Sequence, residues 1–122
     1  MSSQVGHYRW NDQPLEHLRG GITRRFVTSE RVMIGEVRFM KGDVVAAHSH
    51  VHEQFTHVVS GCLRFTLGDG GGEVVLVKAG EVIVIPSNLP HGVEALAETL
   101  EYDVFNPPRQ DWIDPDSGFL NG

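Results

Sequence analysis

One cysteine, Cys62, is all the thiol this chain carries, so an internal disulfide is excluded and a reducing, cytoplasmic setting is expected. Long apolar runs are missing too: no stretch approaches the roughly 20 residues of a membrane span. The start, MSSQVGHYRWNDQ, lacks a basic segment followed by an apolar one, so no secretory leader is expected. Cations are scarce, with 10 Lys and Arg against 16 Asp and Glu and a formal net charge of −6. Nucleic-acid binding needs clustered cations to neutralise phosphates, and the one basic pair, Arg24-Arg25, is expected at a solvated strand edge. An acidic chain still accepts an anionic ligand where a local cation or metal offsets the general field. No repeat, low-complexity segment or linker-like shift divides the 122 residues, a length that suits one domain with a single core.

What is present is a succession of short apolar stretches. RVMIGEVRFM, EQFTHVVS, CLRFTLG, EVVLV, EVIVIP and TLEYDVF are rich in Val, Ile, Phe and Thr, and each has strand length. MKGD, SG, GDGGG, KAGE and SNLPHG separate them, with the Gly, Asn, Asp and Pro that turns require. This alternation predicts an all-β antiparallel sandwich or barrel. FTLGDGGGEVVLV reads as a hairpin with a flexible, glycine-rich tip; the helix and Lys-Ser/Thr pair of a phosphate loop do not follow it. VEALAETLEY reads as a loop running into a strand, and PLEHL as a short helical turn. Val82 to Ile85 is apolar on both faces, which predicts cover from the barrel interior on one side and from another sheet or subunit on the other.

The chemistry concentrates in GDVVAAHSHVHEQFTHVVSG, Gly42 to Gly61. Alternate residues of a strand face one side, so His48 and His50 can offer two imidazoles to one cavity. His52 and Gln54 continue that face only if the strand stays regular, and HVHEQ reads as a turn.

This segment resembles the first motif of the cupins: Gly, five residues, His-x-His, three or four residues, Glu, six residues, Gly. Gly42, His48, His50, Gln54 and Gly61 occupy those places. GEVIVIPSNLPHGVEA resembles the second motif; Gly80, Pro86 and His91 match it, while Asn88 stands for its Gly and Ala95 for its Asn. The resemblance implies a double-stranded antiparallel β-barrel, or jelly roll, with a divalent ion held by His48, His50, Gln54 and His91. The implied domain has an arm over about 1–30, a barrel core over about 31–106 and a tail over 107–122. A neutral Gln where Glu is commoner leaves the full charge of the ion to act on an anionic or oxygen-rich substrate. Glu53 is the rival ligand, reached by a one-residue bulge. His52 and His57 are read as nonligands, and His7 and His17 as surface residues. Three His and one amide suit Ni, Zn, Fe, Mn or Co.

TLEYDVFNPPRQDW supplies a second group. Period two puts Glu101, Asp103 and Phe105 on one face, so Asp103 is a candidate proton acceptor or donor beside the metal. The NPPR corner returns Arg109 toward the mouth, where its guanidinium is placed to hold a carboxylate by two parallel hydrogen bonds. The structural alternative is a simple Asp103–Arg109 pair at a strand end. HSH…HEQ, PHG and a closing D-x-F-x-PPR-x-DW together resemble, from about Arg31 to Trp112, the pectin-degradation cupins of the KdgF type. That resemblance implies conversion of 4,5-unsaturated uronate monosaccharides to the linear keto sugar, with Asp103, Phe105 and Arg109 at the substrate. A ferrous dioxygenase and a sugar-binding cupin without turnover are the competing readings. A homodimer is expected.

Overall fold

The computed structural model describes residues 4–115, so the part of the tail from residue 116 onward lies outside the described residues. Among these residues the chain forms ten strands: β1 (Glu16–His17), β2 (Thr23–Thr28), β3 (Met33–Phe39), β4 (Val44–His48), β5 (Glu53–Ser60), β6 (Cys62–Leu67), β7 (Glu73–Lys78), β8 (Val82–Ile85), β9 (His91–Ala95) and β10 (Thr99–Asn106). A one-turn helix, α1 (Gln110–Ile113), follows β10. The strands make a six-stranded sheet, β1-β2-β3-β10-β5-β8, and a four-stranded sheet, β4-β9-β6-β7, antiparallel throughout. They close as a jelly-roll barrel, the all-β architecture expected from the strand and turn pattern. No helix among the described residues is long and apolar enough to cross a membrane.

Period-two patterning decides what faces inward. On β5, Gln54, Thr56 and Val58 are buried while Glu53, Phe55 and His57 are exposed. On β10, Thr99, Glu101, Asp103 and Phe105 are buried, and Leu100, Tyr102 and Val104 are only half-buried. β5 and β10 are adjacent, with Gln54 opposite Phe105 and Thr56 opposite Asp103. One end of the interior is therefore polar. The apolar remainder is built on Met33, Leu63, Phe65, Ile85 and Phe105, all nearly inaccessible; each such side chain contributes about 1.5–3 kcal/mol over leaving it in water.

The turn residues follow from backbone geometry. Gly61, between β5 and β6, has φ +92°, and a Cβ there would stand 2.3 Å from the carbonyl oxygen of Glu98, so only glycine serves. Asn88, which stands where the cupin motif has Gly, has φ 66°. Asn is among the few residues that tolerate this left-handed conformation, so the substitution keeps the turn. The FTLGDGGGEVVLV hairpin forms as expected from β6 and β7, with the glycines at its tip.

Three expectations are corrected. PLEHL does not form a helical turn: Glu16 and His17 are strand residues paired with Arg24 and Thr23, and the Glu16 carboxylate meets Arg24. In VEALAETLEY, Val93 to Ala95 finishes β9, so the segment is strand, turn and strand. Arg24 is not solvated: on β2 it alternates with Phe26 and with Ile22 just before the strand, and points inward with them, 3% exposed. On β8 the inner face is buried as expected, whereas Val82 and Val84 are exposed, beside Phe55 and Ile34 on the outer face of the large sheet.

Candidate metal centre

Three backbone segments bring the histidines together. β4 ends at His48, and the chain turns through residues 49–52 before β5 begins, so His50 stands in a turn and not on the strand. His91 opens β9 directly opposite His48, beyond an irregularity in the β4–β9 ladder. One ligand atom from each of His48, His50 and His91 lies within 4.8 Å of the others. Gln54, the first inward residue of β5, puts its Oε1 3.2 Å from Nε2 of His50. Glu53 is on the outer face and exposed, because the ladder from Glu53 to Thr56 has no bulge. His57 is also outward, and His7 and His17 are exposed.

The far side of each ring is already engaged. Nδ1 lies 3.0 Å from the Ala46 carbonyl in His48, 3.0 Å from that of His52 in His50, and 2.9 Å from that of Leu89 in His91. A carbonyl only accepts, so each Nδ1 carries a hydrogen and Nε2 is the ring nitrogen left for the cavity. Burial, then the charge of Arg109 and then His91 and His48, lowers the His50 pKa to about 4. Burial is also the main cause lowering that of His91. Three imidazoles whose ligand atoms cluster this closely, with a neighbouring amide oxygen, fit a divalent ion. His52 is not one of the cluster: its ring packs 5.2 Å from that of His50 and 6.4 Å from Phe105.

A hydrogen-bonded path leads from these donors to an acid. Nε2 of Gln54 donates to Oγ1 of Thr56 at 2.9 Å, and Thr56 donates to Oδ1 of Asp103 at 2.6 Å. Burial raises the Asp103 pKa, opposed by hydrogen bonds from Glu101 and Thr56 and by the charge of Arg109. Its neighbour Glu101, 3% exposed, is raised well above its usual value by burial and by Asp103. Two buried carboxyls this close favour sharing a proton over ionising together.

Arg24, Phe105, Arg109 and Trp112 line the same cavity as His48, Gln54, His91, Glu101 and Asp103. The Phe105 ring meets His50 edge-on at 5.9 Å and Trp112 at 5.1 Å. Arg109 lies 5.1 Å from the Phe105 ring centre and 5.4 Å from that of Trp112. Its ion pair is with Asp111, not Asp103: Nε and Nη2 donate to the two carboxylate oxygens at 3.0 and 2.8 Å. Burial pushes the Asp111 carboxyl up, but Arg109 outweighs it and holds the pKa low. The two-pronged face assigned to a substrate carboxylate is thus occupied from within the chain.

The barrel, the inward imidazoles and their spacing agree with a match to the cupin domain model over residues 35–103, more than half of the chain. This chain belongs to the cupins. Among solved structures the cupin is similar to KdgF from Halomonas sp., with TM-score 0.79 and 29% identity, covering 88% of this chain and 99% of that one. An RmlC-like cupin from Shewanella frigidimarina NCIMB 400 superposes with TM-score 0.80 at 25% identity, covering 91% and 99%. The oxalate decarboxylase OxdC of Bacillus subtilis (strain 168) is 27% identical over 88 residues, 70% of this cupin but only 23% of that enzyme.

Residues absent from the sequence reading of the site are Arg24, Thr56 and Asp111. Thr56 was reachable by counting two from Gln54 along β5, and Arg24 by the Ile22-Arg24-Phe26 alternation.

Proposed function

We propose that this cupin linearises 4,5-unsaturated uronate monosaccharides, as released in pectin or alginate breakdown, to the open-chain keto acid. The observation that carries the reading is the polar path from the His50–Gln54 pair through Thr56 to the buried carboxyl of Asp103, which puts a ligand set and a proton-transfer group in one cavity. Likeness to Halomonas KdgF over nearly the full length of both chains supports it.

The substrate is a cyclic enol ether bearing a carboxylate. Its ring opens when the hydroxyl on C1 gives up a proton and the C1–O5 bond breaks, leaving an enol at C5. The enol becomes a ketone when C4 gains a proton. One proton leaves oxygen and one reaches carbon, so no oxidant or reductant is consumed. A divalent ion held by His48, His50, Gln54 and His91 supplies fixed positive charge for anionic oxygens. Asp103 takes and returns the proton, and burial brings its pKa nearer the working range of a proton shuttle. Phe105 forms the apolar wall, and Arg109, held on two nitrogens by Asp111, adds its charge to the same lining.

The test is the loss of the conjugated ultraviolet band of 4,5-unsaturated galacturonate with metal-loaded protein, against a chelated control and Asp103→Asn. The expected result is fast decay without oxygen uptake, lowered on the order of 10² to 10⁴-fold in Asp103→Asn while metal is retained. Decay at the spontaneous rate would remove the reading, and oxygen uptake by the iron-loaded protein would replace it with dioxygenase chemistry. The same proposal places the protein in the cytoplasm and pairs it as a homodimer, supported by exposed Phe55, Val82 and Val84 on neighbouring strands of one sheet face. Light scattering at the 13.5 kDa of one chain would remove the dimer.

A further inference from the structure

Three arginines of the large sheet and the tail have contrasting partners. Arg25 donates to Glu36 at 2.7 Å, and Arg109 is gripped on two nitrogens by Asp111. Arg24 is the least exposed of the three, yet among the described residues only its Nε is matched, to Oε1 of Glu16 at 3.1 Å. Nη2 of Arg24 is buried with no hydrogen-bond partner among the described residues. A donor on a charged group left unpaired away from water is costly, and a well-built interior does not leave one without an occupant. Glu16 does not cancel the charge from inside, since its side chain is 31% exposed.

The surroundings show what that occupant is. Arg24 lines the same cavity as His48, Gln54, His91 and Asp103. Its guanidinium lies with Cζ 4.2 Å from the centre of the Trp112 ring, which fixes the plane of the fork. Arg24, Val37 and Glu101 stand in one row across β2, β3 and β10. At the two ends of that row, Nη2 of Arg24 and Oε2 of Glu101 are buried and have no hydrogen-bond partner of another residue type among the described residues, Glu101 being engaged only with the neighbouring carboxyl of Asp103. A cationic fork at one end and a hydrogen-bond acceptor at the other suit a ligand with a carboxylate and a hydroxyl.

We propose that Arg24 is the anion-binding residue of this cavity, taking the carboxylate of the ligand on the outer edge of its guanidinium while Glu101 accepts from a ligand hydroxyl. Assigning that carboxylate to a uronate rests on the function proposed above; the subsite itself does not. Arg109 then serves as a clamped wall of the site, and substrates lacking the acid group are discriminated against at Arg24.

The probes are D-galacturonate and its neutral counterpart D-galactose, titrated calorimetrically into the metal-loaded full chain. Wild type is expected to prefer galacturonate. Arg24→Gln should weaken galacturonate on the order of 10- to 100-fold and leave galactose unchanged. Arg24→Lys, which keeps the charge and loses the fork, should fall between the two and carries the test if the Gln variant does not fold. Thermal midpoints and metal content establish that each variant is intact. An intact variant that still binds galacturonate like wild type, or a wild type without preference, would overturn the proposal. The two ideas fail separately. If unsaturated galacturonate is not converted but galacturonate binding depends on Arg24, the subsite stands and the reaction falls; conversion with unchanged KM in Arg24→Gln has the opposite meaning.

Discussion

Thr56 faces Asp103 across the β5–β10 ladder and donates its hydroxyl proton to Oδ1 at 2.6 Å. A hydroxyl has one proton, so toward Gln54 Thr56 acts only as an acceptor. The Gln54 amide must therefore turn its NH₂ to Thr56 and its oxygen to His50, which is the arrangement found. A single side chain orients a candidate metal ligand and a candidate proton shuttle at once. Thr56→Val keeps the shape but strips both bonds, leaving two buried polar groups unpaired at about 1–3 kcal/mol each. The expected result is a lower thermal midpoint, weaker metal retention and a kcat reduced on the order of 10-fold, with Thr56→Ser restoring most of each. Normal kcat and metal content in the valine variant would show that the path has no orienting role.

The same geometry explains a neutral residue at position 54. A carboxylate has no proton to give Thr56 and adds negative charge two hydrogen bonds from Asp103. Gln54→Glu is expected to hold metal more tightly, because an anionic donor replaces an amide, and to lower kcat on the order of 10-fold or more. Competition titration with a metal indicator and the ultraviolet assay read these separately. Equal turnover by the Glu variant would mean that neutrality at this position is incidental.

A pH prediction comes from His50. In the unfolded chain its imidazole takes a proton near pH 6.5, whereas in the folded, metal-free protein burial and the Arg109 charge delay this to about 4. Between those values the unfolded state binds a proton that the folded state refuses, so this residue's contribution to stability falls as pH falls. The raised Glu101 works in the opposite direction, which is why the comparison must be a difference. The midpoint of metal-free wild type minus that of His50→Asn is expected to shrink from pH 6.5 toward pH 4 and to stay flat above pH 7. A difference independent of pH across that interval would contradict the assigned protonation state.

Much of this was legible in the sequence, for physical reasons that can be named. Strict alternation in EQFTHVVS and TLEYDVF exposes which side chains face the interior, and the glycines and Asn88 punctuate the strands because their backbones need positive φ. His48 and His50 stood out because few side chains of that kind recur two apart. Arg24 did not, since a basic pair on an acidic chain reads as surface, and the stacking indole that makes its burial tolerable arrives from residue 112. The grip of Asp111 on Arg109 was hidden for a related reason: it depends on how the chain turns into α1, not on any period. PLEHL failed because a two-residue strand is held by its partner, β2, and not by its own propensity.

Gly35 has a reach beyond β3. A Cβ on it would stand 2.6 Å from a ring atom of Trp112, so the missing side chain is a recess into which the indole from the tail is keyed. Trp112 in turn carries Arg24 and borders Phe105 and Arg109. One wall of the pocket is thereby set from outside the barrel's own strands, by a segment that follows them, while the imidazoles are held by strand ends and a turn. The tail and the strand ends thus shape one cavity from different parts of the chain, and Phe105, which meets both His50 and Trp112, is the side chain through which a change in the tail reaches the imidazoles.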